Sequence, residues 1–215
     1  MNTQKQSLQE LHQIKQMMER SSKFISLSGL SGISAGICAL VGAWFASRII
    51  DQGMNYDESG YKETGAMQFP LLLIALSTFV LAFITSFLFT YLRSKKTGTP
   101  IWGTTSVRLF WNIVIPLAAG GLFLIRCMQL KYYELIAPGC LIFYGLALVN
   151  ASKYTLGEVR YLGYGQIILG IINLWIIGYG LYFWAAGFGF LHIVYGIVMW
   201  SRYERSDKIA NSDVL

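Results

Sequence analysis

Charged residues are confined to short segments that separate long apolar stretches. Asp, Glu, Lys and Arg are absent from 24–47, 64–92, 109–125, 135–152 and 161–201. A helix of about 20 apolar residues crosses the hydrocarbon core of a bilayer, which is ~30 Å thick. The first four stretches therefore predict one crossing each. The fifth is about twice as long as one crossing requires, so it predicts two crossings.

The fifth stretch has a predicted break at 178–182, where two glycines and two tyrosines suit a tight turn at the headgroup layer. The chain is therefore predicted to be an all-α, multi-pass transmembrane helical bundle of six spans. A β-barrel is excluded because runs such as 71–76 (LLLIAL) do not alternate between apolar and polar residues. The predicted spans are 24–47, 69–92, 108–127, 133–152, 158–178 and 183–201.

The predicted membrane domain, 24–201, is flanked by an N-terminal segment, 1–23, and a C-terminal tail, 202–215. An apolar stripe at helical spacing runs along the N-terminal segment, opposite a face rich in glutamine. Its residues are Leu8, Leu11, Ile14 and Met18. The stripe predicts an amphipathic helix on the inner leaflet or an extension of the first span, and a docking helix for a soluble partner is the alternative.

The amino-acid composition is typical of a protein surrounded mainly by lipid. Hydrophobic residues make up 54% of the 215 residues, and charged residues make up 13%, about half the ~25% typical of soluble domains.

The net charge of +6 comes from basic residues in the predicted loops, a distribution that the positive-inside rule explains without nucleic acid. With the N-terminus in the cytoplasm, thirteen Lys and Arg residues fall in inner segments and four in outer segments. We therefore expect both termini in the cytoplasm and no nucleic-acid partner.

The first span carries one face made of small residues. Small side chains let helix backbones approach closely in lipid, where packing holds helices together in place of the hydrophobic effect. This face predicts a helix-packing seam, either within the bundle or between two copies of the chain. Its residues are Ser28, Gly32, Ala35, Gly36, Ala39, Gly42 and Ala46.

Three polar side chains lie inside the predicted fifth and sixth spans. His192 lies on the sixth span, and Gln166 and Asn173 on the fifth are expected near it. Polar groups inside a membrane are costly, and they either mark a solute pathway or hold helices together through hydrogen bonds. We expect the structural role and keep the pathway as the alternative. No metal site is expected, because two histidines and three scattered cysteines supply no ligand set at suitable spacing.

The sequence has a helix-start motif before the fifth span and lacks the common catalytic motifs. Thr155-Leu156-Gly157-Glu158 predicts a capping box that opens the fifth helix. The sequence contains no P-loop, no H-E-x-x-H and no G-x-S-x-G motif. No catalytic residue and no cofactor are therefore expected, and an intramembrane enzyme is the least supported function.

Three stretches of the sequence resemble a family of small bacterial multi-pass membrane proteins of unknown function. They are SLSGLSG at 26–32, NASKYTLGEVRYLG at 150–163 and FLHIVYG at 190–196. The resemblance covers most of the chain. It implies a six-span architecture and a location in the bacterial cytoplasmic (inner) membrane, and it brings no activity and no site residues.

Two functions follow from these observations. The first is a non-catalytic membrane component, regulatory or partner-binding, whose partner is a second copy, a membrane protein or a cytoplasmic protein. The second is a small-solute or ion transporter. It is suggested by Pro116 and Pro138, which lie inside predicted spans, and by His192 together with Asn173. A faint sequence repeat also relates the hairpin of spans three and four to the hairpin of spans five and six.

Overall fold

The computed structural model describes residues 28–55, 64–98 and 103–204. Helix accounts for 90% of these residues and none of them lies in a strand, so the all-α prediction is confirmed for this part of the chain. The predicted N-terminal segment, 1–23, lies outside the described residues, as does most of the C-terminal tail.

The first five α-helices of the described residues have different lengths. They are α1 (Gly29–Asn55), α2 (Thr64–Thr97), α3 (Thr104–Gln129), α4 (Ile136–Ala151) and α5 (Glu158–Trp175). A 3₁₀ turn at Tyr133–Leu135 leads into α4. At ~1.5 Å per residue, the 34 residues of α2 extend ~51 Å, whereas the 18 residues of α5 extend ~27 Å.

The last helix, α6, changes its geometry along its length. It begins with the α-helical turn Gly180–Trp184 and continues as a π-helical segment, Ala185–Leu191. The chain returns to α-helix at His192–Met199 and ends in a second π-helical turn, Trp200–Glu204. Nothing in the apolar pattern of the sequence predicts these two π-helical segments.

A tight turn at 176–179 separates α5 from α6. Gly178 has φ of 88°, a left-handed conformation that glycine adopts without steric cost because it has no Cβ. The turn overlaps the break predicted at 178–182, but α6 already begins at Gly180.

Within the described residues, five helical segments are long and apolar enough to cross a membrane. They are Gly29–Gln52, Gln68–Lys96, Thr104–Gln129, Tyr133–Ala151 and Gly180–Tyr203. The helix α5 is not among them, because the charged side chains of Glu158 and Arg160 and the polar side chains of Gln166 and Asn173 lower the mean hydropathy of its 18 residues. A sixth crossing by α5 therefore stays a prediction.

The helices pack as two groups joined by α6. α1 packs between α2 and α6, and α4 packs between α3 and α5. The start of α6 also contacts α4, and its π-helical segment contacts α5. The largest helix–helix contact among the described residues is that between α4 and α5.

The small-residue face of α1 packs within the chain, against α6 and α2. A Cβ placed on Gly36 would lie 2.7 Å from the carbonyl oxygen of Gly189, and one on Gly32 would lie 3.1 Å from the Cα of Gly196. Gly42 faces the side chain of Thr78 on α2 instead. All residues of this face except the half-buried Ala35 are buried; they are Ser28, Gly32, Gly36, Ala39, Gly42 and Ala46.

A second seam of glycines holds α4 against α5. A Cβ on Gly145 would lie 2.7 Å from the carbonyl oxygen of Gly163, and a Cβ on Gly163 would lie 2.8 Å from that of Gly145. The two backbones therefore touch, and the side chains of the neighbouring residues on α5 are brought into the interior.

Candidate functional site

A cluster of polar groups lies in the interior where α4, α5 and α6 meet. Its members are Tyr144 on α4, Gln166 on α5, and His192 with the Gly187 carbonyl on α6. The side chain of Gln166 is fully buried and that of His192 is 6% exposed. Polar groups at such depth need partners, because water does not reach them.

The partners of His192 determine which ring nitrogen carries the proton. Its Nδ1 lies 3.1 Å from the carbonyl oxygen of Gly187, which only accepts hydrogen bonds, so Nδ1 donates. In the neutral ring Nε2 then accepts, and the hydroxyl of Tyr144 donates to it at 2.8 Å. Both ring nitrogens are thus committed to neighbours within the bundle.

Gln166 completes the cluster from α5. Its Nε2 donates to the carbonyl oxygen of Gly187 at 2.9 Å. The 3.4 Å approach of this nitrogen to Nδ1 of His192 brings two donors together, so it adds no bond in this tautomer. The Oε1 atom of Gln166 is buried and accepts no hydrogen bond from the described residues.

Gly187 is the residue around which the cluster is built. Its carbonyl accepts from both Gln166 and His192, which lies five residues further along α6. A Cβ on Gly187 would lie 2.5 Å from Oε1 of Gln166. Gly187 lies in the π-helical segment, so the irregular part of α6 coincides with the polar cluster.

Aromatic rings enclose the cluster on one side. Phe188 stacks on His192 with ring centroids 5.9 Å apart, and Tyr144 lies 5.4 Å from the histidine ring. Phe188 also contacts Tyr144 and Trp184, each at a centroid separation of 5.0 Å. These rings exclude water, which strengthens the hydrogen bonds of the cluster.

Asn173 does not belong to this cluster. It lies seven residues beyond Gln166 on α5, about 10 Å along the helix axis. Its Nδ2 donates to the carbonyl oxygen of Ile176 at 3.2 Å and so supports the end of α5. Its Oδ1 is buried and has no partner among the described residues. The structure therefore brings together His192 and Gln166 and leaves Asn173 apart.

Sequence reasoning missed Tyr144 and Gly187. A tyrosine in an apolar stretch gives no sign that it is hydrogen-bonded. Gly187 acts through its backbone carbonyl, which every residue possesses. No signal in the sequence distinguished it from the other glycines of α6.

The predicted capping box at the start of α5 is wrong. Gly157 occupies the capping position, and no side chain caps the helix. Glu158 instead accepts hydrogen bonds from Arg202 at 2.8 Å and from Tyr203 at 2.9 Å, both at the end of α6. The carboxylate thus ties α5 to α6 rather than closing its own helix.

Comparisons with known proteins give no assignment. No family model, curated protein or solved structure matches the chain. Within the described residues, no group of three or more His, Cys, Asp or Glu side chains is placed to hold a metal ion.

Proposed function

We propose that the chain is a non-catalytic integral protein of the bacterial inner membrane that acts as a regulatory or partner-binding component. The observation that carries this proposal is the closed bonding of His192. Both of its nitrogens are bonded to groups of the bundle, and aromatic rings cover it. A histidine bound in this way fastens α6 to α4, and Gln166 fastens α5 to α6, which is a structural role.

The proposal includes six spans, with α5 as the additional one. Its length of ~27 Å approaches the ~30 Å of a bilayer core. Its two interior polar residues, Gln166 and Asn173, are buried against the bundle, so they lower the hydropathy of α5 without facing lipid. α5 also lies between two membrane-spanning candidates, since it packs against α4 and α6.

The proposed orientation is supported by contacts between neighbouring antiparallel helices. The Ser86 hydroxyl donates to the Ser31 carbonyl, which joins the second half of α2 to the start of α1. Asn150 donates to the Asn112 carbonyl, which joins the end of α4 to the first half of α3. The Arg202–Glu158 ion pair joins the end of α6 to the start of α5, and Gly29 lies against Trp200.

Basic residues concentrate at this shared end. Seven described residues lie there: Arg93, Lys95, Lys96, Arg108, Lys153, Arg160 and Arg202. Three lie at the opposite end: Arg48, Arg126 and Lys131. The positive-inside rule assigns the richer end to the cytoplasm. Because α1 starts and α6 finishes at that end, both termini are cytoplasmic in this proposal.

Crosslinking in cells tests the partner-binding role. The full-length chain with a C-terminal tag is expressed at native level, crosslinked and purified in mild detergent. We expect one protein to be retained in defined proportion, and deletion of 1–20 to abolish its capture. Deletion of 209–215 is the matched control and leaves capture unchanged. The proposal is wrong if the properly inserted chain is recovered alone, or if the 1–20 deletion retains the partner.

A small-solute or ion transporter is the second candidate, favoured by the π-helical segment of α6. Ala185–Leu191 departs from regular helix geometry beside Gln166 and His192, and π-helical segments often occur at functional sites. In reconstituted vesicles, uptake of a transported ion or solute would be lost in His192→Ala and Asn173→Ala. Uptake at parental rate in both variants would reject this assignment of the pathway.

A further inference from the structure

A groove of ≈540 Å³ lies between α2 and α4. Residues of α1, α5 and α6 form its floor, among them Ala46, Asn173 and Trp184. Its wall on α2 includes Leu71, Ala75 and Thr78, and its wall on α4 includes Ile136, Ala137 and Cys140. The lining is predominantly apolar, and the volume lies within the range of known ligand pockets.

The groove opens sideways, toward the lipid that surrounds the bundle. Among the described helices, α2 makes extensive contact only with α1, so α2 and α4 stand apart. The groove runs along α2 from Gln68 to Thr78, about 15 Å at the rise of an α-helix. That depth is about half of a ~30 Å hydrocarbon core, which is the thickness of one leaflet.

Polar groups lie at the outer end of the groove. The Gln68 side-chain nitrogen donates to the hydroxyl of Tyr133, which links α2 to the turn before α4. Glu134, which is exposed, lines the groove beside them. An apolar channel of one-leaflet depth with a polar rim has the shape of a single lipid chain with its headgroup at the surface.

Asn173 lines this groove and carries one unpaired acceptor. The residue is 4% exposed, and its Oδ1 has no partner among the described residues. Gly180 also lines the groove, and a Cβ there would lie 3.9 Å from this oxygen. A buried acceptor without a donor is costly, and a ligand that supplies the donor removes that cost.

We propose that the groove binds one hydrocarbon chain of a membrane lipid that carries a hydroxyl or amide N–H beside that chain, with Asn173 Oδ1 accepting its hydrogen bond. The apolar walls accept any hydrocarbon chain of the leaflet. The asparagine oxygen selects for a donor, because an ester or ether oxygen at the same place only accepts. This binding is independent of the protein partner proposed above.

Photolabelling tests the proposal with two matched probes. The full-length chain is reconstituted in lipid vesicles with a long-chain fatty alcohol that carries a diazirine in its chain, or with the methyl ether of that alcohol. Labelled residues are identified by mass spectrometry. We expect the alcohol to label the groove residues of α2 and α4 about fivefold more than the ether, the ratio that one net hydrogen bond gives.

Three variants separate the contributions to this labelling. Asn173→Leu removes the acceptor, so we expect labelling by the alcohol to fall to the level of labelling by the ether. Ala75→Phe fills the groove from its exposed wall residue, so both probes lose their labelling. Leu76→Phe is the control, because Leu76 is 58% exposed and does not line the groove.

Two results overturn the proposal. Equal labelling by the alcohol and the ether in the parent chain would show that Asn173 does not accept a hydrogen bond from the ligand. Groove labelling that persists in Ala75→Phe would show that the probes do not bind in the groove. The Ala75→Phe result stands even if Asn173→Leu disturbs the end of α5, where Asn173 also bonds the Ile176 carbonyl.

Discussion

The Gly187 carbonyl, His192 and Tyr144 form one chain of hydrogen bonds through the interior, and Gln166 joins it at Gly187. A single such bond contributes only about 0.5–1.5 kcal/mol of net stability. Loss of one partner has a larger effect, because it leaves a buried donor or acceptor without a bond, at about 1–3 kcal/mol. Each bond of this cluster therefore matters more when it is lost than its net contribution suggests.

Tyr144→Phe tests the cluster with the loss of one oxygen atom. Nε2 of His192 is left as a buried acceptor without a donor, so we expect a loss of about 1–3 kcal/mol in the free energy of unfolding. Thermal unfolding in detergent measures it. Tyr161→Phe is the control, because Tyr161 is 75% exposed. Equal melting temperatures for the two variants would show that the hydroxyl of Tyr144 contributes nothing.

At the residue scale, the sequence predicted part of the site. His192 and Gln166 were identifiable because polar side chains are rare in long apolar stretches. Asn173 was expected beside them, yet seven residues along a helix separate it from Gln166 by about 10 Å. Tyr144 and Gly187 were not identifiable, since their contributions depend on contacts between α4, α5 and α6 that spacing along the chain does not give.

Two seams of small residues set the distances between helices. In the seam between α1 and α6, Gly36 lies against the Gly189 carbonyl and the side chain of Ile193. In the seam between α4 and α5, Gly145 and Gly163 lie against each other. Close approach of backbones is the main source of stability available to helices in lipid. We therefore expect the seams to tolerate added volume poorly.

Gly36→Ala tests the seam between α1 and α6. The new Cβ would lie 2.6 Å from Cγ1 of Ile193 and 2.7 Å from the Gly189 oxygen, so the helices must separate. We expect a loss of about 1–3 kcal/mol, measured by thermal unfolding. Gly121→Ala on α3 is the matched control, since a Cβ there meets no atom within 4 Å. A Gly36→Ala variant as stable as Gly121→Ala would contradict this packing.

At the scale of the elements, helix positions followed from the charge-free stretches, and the break near Gly178 followed from its glycines and tyrosines. The capping box failed because Glu158 bonds Arg202 and Tyr203, more than forty positions away in the sequence. The π-helical segment Ala185–Leu191 was not predictable either. Hydrophobicity reports which residues avoid water, and this apolar segment does so whichever helical geometry it adopts.

Among the described residues, basic side chains concentrate at one end of the bundle, with seven there and three at the opposite end. Contacts between helix ends, rather than loop charges alone, place the start of α1 and the finish of α6 together. In the proposed orientation, this end faces the cytoplasm and the groove between α2 and α4 opens in the outer leaflet.

Labelling of single cysteines tests this orientation. In a variant without native cysteines, we expect Ser59→Cys to react with a membrane-impermeant maleimide in intact cells, because the segment between α1 and α2 is external in the proposal. Ser212→Cys is expected to react only after the cells are permeabilised. If the Ser212→Cys variant is labelled in intact cells, or if the Ser59→Cys variant is not labelled there, the proposed topology is wrong.

The unequal lengths of α2 and α5 bear on the kind of bilayer in which the protein is most stable. α5 extends only ~27 Å, and its neighbours α4 and α6 are fastened to it. In the proposed six-span arrangement, lipid next to α5 thins to match it, at a cost of a fraction of a kcal/mol per ångström. We expect the melting temperature to be higher in vesicles of short-chain lipids than of long-chain lipids. Within a cell, the same mismatch would draw the protein toward the thinner regions of its membrane.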